Sequence, residues 1–116
     1  MTHEEKDLLL KDLCARLPYR VIIKSVGENK IIGLWDLRDI DNLPIPYLRP
    51  MSSMTEEERN EYNEYLFYGS SIGLSSNTAT AYELIDWLNK KMFDYLGLIP
   101  KGLAIEVTES NNPYND

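Results

Sequence analysis

The chain has 116 residues, 13.5 kDa, 43% hydrophobic and 27% charged, with a formal net charge of −7. That length predicts one domain able to bury a core without staples, and no apolar run approaches the ~18 residues of a membrane span. One cysteine, Cys14, and one histidine, His3, exclude an internal disulfide, Cys-cluster metal sites and any site needing two histidines.

A first helix is predicted over Glu4 to Leu17. Thr2 and Glu5 have the spacing of a capping box, and Pro18 ends the helix. Leu9, Leu10, Leu13, Cys14 and Leu17 share one face, so Cys14 is expected to be buried and inert. Tyr19 to Val26 and Lys30 to Leu37 read as two strands joined by Gly27-Glu28-Asn29, a β-hairpin. Leu43 to Pro50 contains Pro44, Pro46 and Pro50 and reads as an edge strand or extended connector. A second helix is expected over Glu56 to Phe67, with Thr55 and Glu58 as a second capping box and Tyr62, Tyr65 and Leu66 as a narrow apolar stripe.

Gly69 to Asn77 holds two glycines and four serines and is expected to be a mobile loop. A third helix follows over Thr80 to Leu96, capped by Thr80 and Glu83 and stopped by Gly97. Its apolar arc contains Ala81, Leu84, Ile85, Leu88, Met92, Tyr95 and Leu96. Leu13 and Leu88 are expected in one core. Leu103 to Val107 forms a short last strand, and the polar residues from about 108 are expected to fray. The prediction is a single α+β domain over 1–116: a small antiparallel sheet, from the 19–37 hairpin and a short C-terminal strand, packed with three helices.

Charge is unevenly placed. Residues 1–50 hold eight acids and eight bases; residues 51–116 hold eleven acids and four bases. The second half would repel a phosphate backbone, so direct nucleic-acid binding is disfavoured. Glu57, Glu61 and Glu64 are spaced to share one helix face, but a lone acidic stripe is no metal site. Ser70, Ser71, Ser75 and Ser76 lack a histidine base, and no phosphate-binding or nucleophile motif is present. No catalytic, cofactor or metal residues are expected. Four of the eight tyrosines, Tyr62, Tyr65, Tyr68 and Tyr82, fall around the acids. Tyrosines beside carboxylates suit a protein interface. The expected partner surface is Glu57, Glu61, Tyr62, Glu64, Tyr65 and Tyr68, on a non-enzymatic interaction module. Two alternatives are a phosphate-mimicking inhibitor of a nucleic-acid enzyme and a small enzyme without a recognisable motif.

Three stretches carry a resemblance. They are Lys11-Asp12-Leu13-Cys14-Ala15-Arg16-Leu17-Pro18-Tyr19, the run from Pro46-Tyr47-Leu48-Arg49-Pro50 to Thr55, and Asp86-Trp87-Leu88-Asn89 with Phe93-Asp94-Tyr95 and Gly97-Leu98-Ile99. With them the chain resembles a family of small uncharacterised proteins of gut anaerobic bacteria, their phages and mobile elements. The resemblance implies a cytoplasmic accessory protein of a phage or mobile element and carries over no function. Arg20 stands where that family often has glycine, Lys91 and Met92 where it often has two histidines, and Leu96 where arginine is common.

Overall fold

The computed structural model describes residues 1–25, 27–71 and 74–114, with the side chains of Ser25 and residues 67–81 outside that description. Helix α1 is His3–Arg16. Its capping box is formed: Thr2 N–H donates to Glu5 Oε1 at 2.8 Å, and Glu5 N–H to Thr2 Oγ1 at 3.1 Å. The buried stripe is Leu9, Asp12, Leu13 and Arg16. Cys14 lies on the far side of the wheel from it and is exposed, contrary to expectation.

The hairpin forms as β1 (Ile22–Ser25) and β2 (Glu28–Ile31), paired antiparallel from Ile22–Ile31 to Ser25–Glu28. Both runs are shorter than expected, and Tyr19 belongs to a 3-10 turn, Leu17–Tyr19, rather than to the first strand. Leu34–Leu37 is a 3-10 turn, because Gly33 N–H donates to the Asp36 carboxylate at 2.8 Å and Asp36 N–H returns to Gly33 O at 3.0 Å. Lys30 reaches the other Asp36 oxygen at 2.6 Å. Its hydrogen bond is the main reason that carboxyl titrates below its ordinary range.

Strand β3 (Ile45–Leu48) is interior, not an edge: the strand order is β2-β1-β3-β4. Pro46 is tolerated there for a reason of register. It faces Ile23, whose backbone groups point the other way, toward Lys30 of β2. Strand β4 (Ile105–Glu106) pairs parallel with Tyr47 and Leu48, so the mostly antiparallel sheet ends in one parallel pair. The stretch after Thr108, expected to fray, is tied back at Tyr114. That hydroxyl accepts from Ile22 N–H at 2.9 Å and donates to Tyr47 O at 2.7 Å. Burial pushes it up to about 12.

Helix α2 is Glu56–Ser71 and α3 is Leu74–Lys90. The expected loop is therefore helical on both sides, and its Ile72 and Gly73 lie outside the described residues. Serine and glycine cost a helix at most about 1 kcal/mol each, which packing of two helices outweighs. Thr80 is consequently inside α3, not its cap. The helix also ends at Lys90 rather than Leu96. Met92 takes a left-handed φ of 62°, Met92 N–H bonds Asn89 O, and Phe93 N–H bonds Leu88 O. This is a Schellman stop with methionine where glycine is usual.

Among the described residues the core has two clusters. Leu9, Leu13, Val21, Ile23, Leu48 and Met92 belong to the first, between α1 and the sheet. Trp87, Leu88 and Phe93 centre the second, under the α2–α3 hairpin. Leu13 and Leu88 are both buried, but in different clusters. Fully buried Asp12 and Arg16 pair at 2.9 Å, and Arg16 donates to Phe93 O at the seam between the clusters.

Candidate functional site

Three glutamates in the first turn of α2 suit the positive end of its dipole. They do not share one role. Glu58 turns inward: Thr55 N–H donates to its Oε1 at 2.9 Å, and its own N–H returns to Thr55 Oγ1 at 3.2 Å. Both its oxygens also take Arg49, at 2.8 and 2.7 Å. The Arg49 hydrogen bonds hold the Glu58 carboxyl down at about 2, against its burial. Arg49 stacks 4.3 Å over the Phe93 ring. Sequence reasoning missed this pair, because Glu58 looked fully used by its cap and Arg49 lay in a proline-rich stretch.

Glu57, Glu61 and Glu64 are exposed, and their shared face is as the spacing implied. Glu61 has a further contact: it accepts from Trp87 Nε1 at 2.7 Å across the hairpin. Tyr62 and Tyr65 are half-buried on the Trp87 ring, at centroid distances of 6.4 and 6.1 Å. Trp87 in turn lies 5.7 Å from Phe93. So these two tyrosines brace the hairpin while leaving part of each ring at the surface. The side chain of Tyr68 lies outside the described residues.

Two side chains that periodicity places on the apolar faces of the helices are exposed instead, Leu66 on α2 and Ile85 on α3, beside Tyr82 at 71% exposure. Tyr82 and Ile85 are three residues apart and share a helix face. Elsewhere, a cavity of about 510 Å³ opens beside Tyr19, Arg49, Lys91 and Tyr114. Its Arg49 is already engaged by Glu58. Among the described residues no three His, Cys, Asp or Glu side chains converge as a metal site would require. No described helix is long and apolar enough to cross a membrane.

These features define a small α+β protein whose second half presents an acidic helical hairpin backed by stacked aromatics. No family model, curated protein or solved structure matches the chain.

Proposed function

We propose that the protein is a non-enzymatic interaction module, a cytoplasmic accessory protein of a phage or mobile element that binds a basic protein partner through the α2–α3 hairpin. One observation supports this reading above the others: the hairpin leaves Leu66, Tyr82 and Ile85 exposed while carrying the exposed acids Glu57, Glu61 and Glu64. Acids steer a basic surface, and apolar and aromatic side chains hold it once docked. Tyr62 and Tyr65 serve this surface mainly by holding it rigid against Trp87.

The test is affinity capture from the native host with the full chain and a Leu66→Ser/Tyr82→Ser/Ile85→Ser variant in parallel. The expected result is a partner retained by the first and lost by the second, with circular dichroism and melting temperature unchanged. Equal retention by a folded variant would sink the reading. A phosphate-mimicking inhibitor differs in salt dependence: its binding collapses as salt rises, whereas contact held by apolar anchors weakens little.

A further inference from the structure

The open edge of the sheet makes a second surface, remote in sequence from the hairpin of helices. Ile32 N–H donates to Val21 O at 2.9 Å, which fixes the alternation along β1 and β2. Lys30 and Glu28 then direct their backbone groups to β1, and Asn29 and Ile31 direct theirs outward. Ile22, opposite Ile31, confirms the phase, since its N–H leaves β2 and donates to Tyr114. Every residue of β2 is exposed. Just beyond it Leu34 and Trp35 are 76% and 75% exposed, and Ile31 is 47% exposed. Strand groups with no partner among the described residues, flanked by large open apolar side chains, form a template for another strand.

We infer that this edge pairs with β2 of a second copy of the chain, antiparallel about a two-fold axis through Asn29. The charges select both the occupant and the register. With Asn29 opposite Asn29 of the second copy, the outward backbone groups meet, and Glu28 faces Lys30 twice over. Sliding to place Asn29 opposite Ile31 would bring the two Lys30 side chains together, which like-charge repulsion disfavours. A lysine on an edge strand guards it against arbitrary neighbours. Here the same lysine is met only by a strand carrying a glutamate two residues before it, as this one does. Lys30 already bridges Asp36 but stays 47% exposed, within reach of a second acid. The two-fold also carries each Leu34–Trp35 turn toward the hairpin turn of the other copy.

Sedimentation equilibrium of the full chain, from about 10 μM to about 1 mM, tests this. The expected result is a monomer–dimer equilibrium in that range. Lys30→Glu sets two like-charge pairs at the interface and weakens the dimer at least about tenfold. The double exchange Glu28→Lys/Lys30→Glu restores it, which a loss of the internal Lys30–Asp36 bridge alone would not allow. Circular dichroism confirms that each variant is folded. A monomer throughout, a dimer indifferent to Lys30→Glu, or a double exchange that fails to recover overturns the inference. None of these variants touches α2 or α3, so the outcome is independent of the partner-binding surface proposed above.

Discussion

Among the described residues two that are not glycine carry left-handed backbone, with opposite consequences. Arg20, at φ 59°, is exposed, whereas Met92, at φ 62°, is buried in the first core cluster. A non-glycine residue loses about 1–2 kcal/mol in that region, and glycine returns part of the gain as unfolded-state entropy. Arg20→Gly is therefore expected to stabilise by roughly 0.5–1 kcal/mol in urea unfolding. Met92→Gly relieves the same strain but forfeits about 1.5–3 kcal/mol of burial, so it should be neutral or destabilising. Equal effects at both sites would contradict this account. The Asp12–Arg16 pair makes the other point at this scale. Burial pushes the Asp12 carboxyl up against the pull of Arg16, and Asp12 Oδ1 and Arg16 Nη1 have no partner among the described residues. Asp12→Leu leaves a buried guanidinium uncompensated and should cost about 3–5 kcal/mol. Asp12→Leu/Arg16→Met should be the more stable of the two variants, although Phe93 O loses its donor. In sequence Asp12 and Arg16 show only the i, i+4 spacing of a helical charge pair. Spacing gives pairing geometry and not burial, so neither this pair nor the exposure of Cys14 was legible.

At the scale of elements, capping chemistry was legible and context was not. Thr2–Glu5 and Thr55–Glu58 close their boxes where their spacing indicated, because both partners are local. Thr80–Glu83 has the same spacing but sits within α3, whose start at Leu74 owes nothing to it. The strand expected over Lys30 to Leu37 broke at Gly33 for another local reason, the reciprocal Gly33–Asp36 hydrogen bonds. The acidic and aromatic composition of the candidate surface was likewise readable. Which glutamate turns in toward Arg49 depends on β3, far outside any helical window. The packing of α2 on α3 runs through Trp87, which touches Tyr62, Tyr65 and Phe93 and donates to Glu61. Trp87→Ala should cost about 3–5 kcal/mol and lower far-ultraviolet helicity as the hairpin loosens. Trp87→Phe keeps a ring in place and should cost well under half as much. A Trp87→Ala loss below about 1 kcal/mol would mean that the hairpin stands without its aromatic stack.

Over the whole molecule, two clusters must act as one body, and polar contacts cross the seam. Arg49 N–H donates to Met92 O at 2.7 Å, Asp94 N–H donates to Arg49 O at 2.8 Å, and Arg16 holds Phe93 O from below. Arg49 also grips Glu58, so the residue just after β3 ties the sheet to the start of α2 and to the turn after α3. Its effect on stability depends on pH in a definite direction. The Glu58 carboxyl titrates at about 2 in the folded chain against 4.5 for an ordinary glutamate. The lowered value means that the folded state binds this proton less readily than the unfolded state. The stabilisation is therefore whole above about 4.5 and is lost as pH falls toward 2. Glu58→Gln keeps the size and one acceptor of the side chain but removes the charge facing Arg49. It should cost about 1–3 kcal/mol at pH 7, and the gap from the unaltered chain should narrow steadily below pH 4.5. Urea midpoints for both chains at pH 7, 4.5, 3.5 and 2.5 measure that gap. A gap constant across the range would assign Glu58 a packing or capping role only, and the joint between the clusters would then rest on the backbone contacts of Arg49.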